Sequence, residues 1–197
     1  MNNPTKLTVS RIVLAVIIII LMIFPFDSVG IDVPVLRNSS VDVSLKYVIA
    51  CVLFVLASLT DFFDGYLARK NNQVTDLGKM LDAIADKILV NPILIIFAAE
   101  GVINPIVPVV IVVRDIVVNA IKMEAASKGK VVAAIYSGKI KTASLMCGIV
   151  LLFISDMPFI FMNLRIDLLL IYFSTFMSLV SMVEYYKLNK KVFKTEN

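Results

Sequence analysis

The chain has 197 residues, 59% of them hydrophobic, with 19 basic and 15 acidic side chains, a net charge of +4 and no histidine. Soluble domains sit nearer about 45–50% apolar, and a mean hydropathy of +0.92 with the apolar residues in long blocks excludes a water-soluble globule. An integral membrane protein is expected, and no nucleic-acid partner.

In chain order, the opening MNNPTKLTVSR lacks the pattern of a cleaved leader, so the apolar run after it reads as a retained span. Six apolar segments follow, over residues 7–26, 43–60, 80–99, 102–121, 142–154 and 166–183. Most approach the ~20 residues that cross ~30 Å of hydrocarbon. The expected fold is therefore an all-α membrane protein of six transmembrane helices, one domain over 1–197, with no Gly/Ser/Pro linker and no internal repeat. Pro25, Pro34, Pro105 and Pro158 fall in or beside connections, whereas Pro92 and Pro108 fall inside spans and are expected to distort them. Cys51 and Cys147 lie in apolar blocks without metal-type spacing and read as packing residues.

Basic residues set the orientation. Only Arg37, Lys46 and Arg165 fall on one side, and the remaining 16 lie at the N-terminus, around the second-to-third and fourth-to-fifth connections, in the flanking span ends or in the tail, with Lys87 and Arg114 nearer mid-span and counting weakly. The positive-inside rule then places both termini in the cytoplasm of a multi-pass protein of the cytoplasmic membrane, with the polar central stretch at the cytoplasmic face. The tail from Tyr185, YYKLNKKVFK, suits an interface with anionic headgroups or serves as a solvated flank.

That central stretch, residues 58–91, carries the chemistry. Asp61, Asp64, Gly65 and Ala68 stand at i, i+3, i+4 and i+7 and share one helix face; Asp82 and Asp86 share another. A carboxylate at membrane depth costs about 2.5–3.5 kcal/mol on insertion scales and marks a functional site. Nearby Lys79, Lys87, Arg69 and Arg114 cannot easily neutralise four clustered acids that repel one another. Divalent cations can. Oxygen donors without histidine favour Mg²⁺ or Mn²⁺ over zinc, and four carboxylates from two helices suit a pair of metal ions at a phosphorus centre. With no histidine in the chain, a carboxylate is also the simplest general base.

The spacing Asp61-x2-Asp64-Gly65-x2-Ala68-Arg69-x8-Gly78-x3-Asp82-x3-Asp86 resembles the signature of the CDP-alcohol phosphatidyltransferase family at every fixed position, and Asn3-Pro4-x2-Leu7-Thr8-x2-Arg11 is similar to its N-terminal segment. The resemblance implies transfer of a phosphatidyl group from CDP-diacylglycerol to a hydroxyl acceptor with release of CMP, and a homodimer. It implies that Asp61, Asp64, Asp82 and Asp86 hold two divalent cations, that Asp86 also accepts the proton of the acceptor hydroxyl, and that Asn3, Thr8, Gly65, Ala68, Arg69, Thr75 and Gly78 bind CDP-diacylglycerol. Arg69 is a fork-shaped donor suited to phosphate oxygens, and Thr75 with Asp76 suits the cap of the third span.

For the acceptor, Arg114 in the fourth span and Lys139 and Lys141 in Gly138-Lys139-Ile140-Lys141-Thr142 compose a candidate phosphate site. At i and i+2 the two lysines diverge on a regular helix, but at a helix entry both can turn toward the membrane surface, where backbone N–H groups add anion affinity. The alternative roles are flanking charge for the lysines and neutralisation of Asp115 for Arg114. The GKxKT pattern resembles the branch of the family whose acceptor is sn-glycerol 3-phosphate. One departure is Leu81-Asp82-Ala83-Ile84-Ala85-Asp86-Lys87, where many members of that branch have LDPLADK; both aspartates are kept. Other acceptors (phosphatidylglycerol, inositol phosphate or serine) are the alternative. A cation transporter is a more distant one, in which the Gly65, Ala68, Arg69 and Gly78 spacing has no role.

Overall fold

The structure is a computed structural model that describes residues 3–38, 41–70, 76–129, 132–133, 135–155 and 164–193; within these, the side chains of 3–7, 37–38, 41–42, 61–70, 76–83 and 191–193 lie outside the description. Six α-helices occur among the described residues, and each expected apolar segment lies largely within one of them.

Helix α1 (Asn3–Ile23) stops just ahead of Pro25, because a residue preceding proline is steered out of the helical region. A 3-10 turn over Phe26–Val29 follows, closed by Gly30 at φ 76°, whose N–H donates to the Asp27 carbonyl at 3.2 Å. Strands β1 (Val35–Asn38) and β2 (Val41–Ser44) then form an antiparallel hairpin with Val35 opposite Ser44. The described chain is otherwise helical, as expected, and this short hairpin over residues 35–44 was not anticipated.

Helix α2 (Leu45–Lys70) runs past the apolar segment and through the whole first half of the acidic motif. Helix α3 (Asp76–Ala99) continues through Pro92 as a single element, although the proline ring removes the donor that would meet the Ile88 carbonyl. It ends in a Schellman turn. Val102 N–H reaches the Phe97 carbonyl at 2.9 Å and Gly101 N–H the Ala98 carbonyl at 3.1 Å, with Gly101 left-handed at φ 75°. Helix α4 (Ile106–Ser127) therefore begins later than residue 102, and Pro108 falls in its first turn. The expected distortion at Pro108 is corrected for that reason: first-turn N–H groups have no partner within the helix, so a missing one costs nothing.

Helix α5 (Tyr136–Phe153) begins well before residue 142 and takes Gly138 to Thr142 into its regular turns. Helix α6 (Ile166–Phe193) packs most extensively on α5. Gly148 permits the approach, since a Cβ there would lie 2.9 Å from Ile171 Cδ1. Helix α1 packs on both α2 and α3, α3 on α4, and α4 on α6.

Ile18, Phe54, Leu89, Ile93, Ile111, Ile149 and Phe153 form the shared core, where the Phe153 ring lies 5.2 Å from that of Phe97 and 5.9 Å from that of Phe54. Outward faces are also apolar, with Ile20, Val109, Ile116 and Phe176 all about 60% exposed. An apolar groove of about 630 Å³ opens between α2, α5 and α6, lined by Phe54, Leu59, Cys147, Leu151 and Leu170. Cys51 is buried and Cys147 exposed. Among the described residues one stretch, Ile166–Lys190, is long and apolar enough by itself to cross a membrane; Thr8–Ile23 and Leu45–Thr60 are shorter apolar helical stretches.

Candidate active site

Because α2 is unbroken to Lys70, Asp61, Asp64, Gly65 and Ala68 occupy one face of a regular helix; because α3 is unbroken from Asp76, Gly78, Asp82 and Asp86 occupy another at i, i+4 and i+8. Helix α1 packs against both carriers. Thr75 lies outside the described residues, as do the side chains of Asn3, Asp61, Asp64, Gly65, Ala68, Arg69, Gly78 and Asp82. No group of three or more metal-ligating side chains occurs among the described ones.

Asp86 is described in full. Its carboxylate is 48% exposed, and Arg11 of α1, wholly buried, places Nη1 3.5 Å from Oδ1. Thr8, three residues before Arg11 on the same face of α1, is also buried. Arg11 was absent from the expected site, although it stands in the N-terminal segment on which the family resemblance rests.

Asp86 opens into a cleft of about 230 Å³ whose far wall carries Arg114 and Asp115 of α4 and Lys141 of α5. Four cations line it, Lys87, Arg114, Lys122 and Lys141, against the carboxylates of Asp86 and Asp115. The positive excess attracts anions. The volume lies below the ~300–1,000 Å³ usual for drug-sized ligands, so a small polar molecule fits it better.

Arg114 Nη1 donates to Asp115 Oδ1 at 3.0 Å, while Nε and Nη2 donate to Ser181 Oγ of α6 at 3.1 and 2.8 Å. Lys141, buried, donates from Nζ to the same Asp115 oxygen at 2.9 Å. Arg114 and Lys122 also lie over the Tyr185 ring at 5.7 and 5.3 Å. The start of α5 is pinned nearby, since Ser137 Oγ donates to Glu184 Oε2 and Ile135 N–H reaches the Tyr185 hydroxyl at 3.4 Å.

The structure thus brings Asp86, Arg114 and Lys141 to one cleft. Lys139 is exposed and lies outside the cleft lining. With α5 already helical from Tyr136, residues 139 and 141 diverge by about 200° around its axis, so the joint turn of both lysines at a helix entry is not realised. Asp115 pairs with Arg114, the role weighed above as the alternative, whereas Lys122 and Ser181 join the cleft or its wall without having been expected there; the serines at 174, 178 and 181, spaced i, i+4 and i+7, carried a pattern that could have drawn attention to α6.

The donor set fits hard divalent cations. The sequence puts aspartates at one-turn spacing on both carrier helices, and the carboxylate described in full, Asp86, lines the cleft with hard oxygen donors.

Comparison with known proteins identifies the family of the chain. The sequence profile described as CDP-alcohol phosphatidyltransferase matches residues 1–181. A CDP-diacylglycerol–glycerol-3-phosphate 3-phosphatidyltransferase of Bacillus subtilis (strain 168) is 36% identical over 196 residues, covering 100% of this chain and 99% of that protein. Proteins of the same name from Rickettsia bellii (strain RML369-C) and Wigglesworthia glossinidia brevipalpis are 32% identical over 194 residues and 30% over 190, covering 98% and 94% of this chain and 97% and 93% of theirs. With the signature aspartates carried on two unbroken helices and the match running from α1 into α6, this chain belongs to the CDP-alcohol phosphatidyltransferase family.

Proposed function

We infer that the protein transfers the phosphatidyl group of CDP-diacylglycerol to sn-glycerol 3-phosphate, giving phosphatidylglycerol phosphate and CMP. The observation that carries this reading is the cleft that Asp86 shares with Arg114 and Lys141: a proton acceptor and a phosphate site within reach of one small molecule. The relatives' printed names agree with it.

In this reading Arg114 and Lys141 bind the phosphate of the acceptor and orient its free hydroxyl toward Asp86, which accepts the proton. The acceptor oxygen forms a bond to the phosphorus that bears diacylglycerol, and the bond from that phosphorus to the CMP oxygen breaks. Lys139, exposed at the cytoplasmic surface, draws the anion in from solution. Asn3, Thr8, Gly65, Ala68, Arg69, Thr75 and Gly78 bind CDP-diacylglycerol. Asp61, Asp64, Asp82 and Asp86 hold two Mg²⁺ or Mn²⁺ ions, whose chemistry when bound is to neutralise the diphosphate and stabilise charge on the attacking and leaving oxygens. Positioning and electrostatics carry most of such a displacement.

The reading includes six membrane spans with both termini in the cytoplasm, supported by the six helices, the exposed apolar faces and the charge asymmetry. It also includes a homodimer, to be checked by cross-linking in the membrane.

Purified protein given CDP-diacylglycerol and a panel of acceptors tests the assignment. CMP release with glycerol 3-phosphate and formation of phosphatidylglycerol phosphate are expected, dependent on Mg²⁺ or Mn²⁺. A faster reaction with phosphatidylglycerol, inositol phosphate or serine would overturn the acceptor, and no CMP release with any of them would overturn the transfer.

A further inference from the structure

Two cations side by side in a half-buried cleft repel each other and turn toward water unless something holds them. Here one atom does. Asp115 Oδ1 accepts from Arg114 Nη1 at 3.0 Å and from Lys141 Nζ at 2.9 Å, so the guanidinium and the ammonium converge on a single oxygen. The Asp115 side chain is 15% exposed and that of Lys141 6%, so neither contact is a solvated surface pair.

Helix α6 fixes the rest of the arrangement. Arg114 Nε and Nη2 both donate to Ser181 Oγ, and that hydroxyl donates to the Ser178 carbonyl at 2.9 Å. Beneath Lys141 the Ser174 hydroxyl donates to its backbone carbonyl at 2.9 Å. Ser174 and Ser181 are both fully buried. After these bonds Arg114 still has an N–H on each terminal nitrogen, and Lys141 has two N–H groups beyond the one given to Asp115.

We propose that Asp115, backed by Ser181, is a positioning residue for the acceptor site: it draws Arg114 and Lys141 together so that their remaining N–H groups bind one phosphate group. The proposal rests on the acceptor assignment above. Asp115 touches neither substrate, and its effect runs through the two cations.

The sign of one substitution separates positioning from simple charge. Asp115→Asn makes the cleft more positive, which by charge alone would tighten binding of an anion. If Asp115 merely competed with phosphate for the two cations, its loss would tighten binding again. Positioning requires the opposite. The apparent KM for glycerol 3-phosphate should rise about tenfold or more, as on losing a charge-assisted hydrogen bond. The KM for CDP-diacylglycerol should stay within about twofold, a split that a general loss of structure would not produce.

The experiment is steady-state CMP release by the purified full chain, with each substrate varied in turn, for the starting protein, Asp115→Asn, Asp115→Glu and Ser181→Ala. Asp115→Glu keeps the charge and should recover part of the loss; Ser181→Ala should raise the glycerol 3-phosphate KM severalfold. An unchanged or lower KM in Asp115→Asn overturns the proposal, as does a glutamate variant no better than asparagine. If Asp115→Asn does not fold, Ser181→Ala decides: a raised KM for glycerol 3-phosphate alone supports positioning, and an unchanged one refutes it. A starting protein that makes no product from glycerol 3-phosphate overturns the acceptor assignment and this proposal with it, whereas normal turnover by the starting protein beside unaltered variants overturns positioning alone.

Discussion

At the α4 and α5 end of the polar cleft, Arg114 and Lys141 are tied by bonds of 2.8 to 3.1 Å to Asp115 and to a buried serine of α6, whereas at the α3 end Asp86 is about half exposed and its contact with Arg11 spans 3.5 Å. The difference suits the two tasks proposed for these residues. A phosphate site gains from donors fixed before the ligand arrives, because less ordering is left to the binding step. A carboxylate that must exchange protons with an incoming hydroxyl has to stay accessible. In the reading proposed above, the phosphate end is held by Asp115 and Ser181, and the carboxylate that takes the proton keeps about half of its side-chain surface accessible.

Substitutions can break that comparison at either end, and the largest effects belong to the carboxylates. Asp61→Asn and Asp82→Asn should each abolish CMP release, because charge neutralisation at the diphosphate supplies most of the rate. Near-normal turnover in either folded variant would remove the paired-metal reading.

Next comes Asp86→Asn. Proton acceptance by a positioned side chain contributes about 10²–10⁴-fold, so single-turnover rates should fall by that order while CDP-diacylglycerol binding falls less. Equal losses in both measurements would reduce Asp86 to metal holding.

At the preorganised end the losses should be smaller and confined to one substrate. Arg114→Gln should raise the glycerol 3-phosphate KM roughly ten- to a hundredfold, the loss of a charge-assisted contact, and Lys141→Gln somewhat less. Kinetics for glycerol compared with glycerol 3-phosphate would show the preference between them shrinking. The smallest change is expected for Lys139→Gln, whose exposed charge acts through solvent; its effect should be within about threefold and should fade as salt is added. An effect as large as that of Arg114 would move the phosphate site toward the surface.

Much of this was legible in the residue order, for physical reasons that differ from place to place. Long apolar runs announce helices regardless of context, which is why six appear among the described residues where six were expected. Their ends depend on local chemistry that apolarity does not report. The start of α4 was missed because Gly101 closes a Schellman turn inside a run that is apolar on both sides, and the start of α5 because Lys139 and Lys141 interrupt hydrophobicity without interrupting the helix. The aspartate motif was readable because its spacing matches the helical repeat. Asp115 was visible only as a neighbour of Arg114. Its bond to Lys141 joins residues 26 positions apart on different helices, and no periodicity within either helix encodes that pairing. The same holds for Ser181 and Arg114, 67 positions apart.

Cys51 is sealed in the helical core while Cys147 stands exposed beside the apolar groove, so the unaltered chain carries a built-in attachment point for a single probe. A nitroxide placed on that thiol would sense oxygen and water-soluble nickel chelates in opposite ways depending on its immersion depth, turning α5 into a ruler for where the bilayer begins.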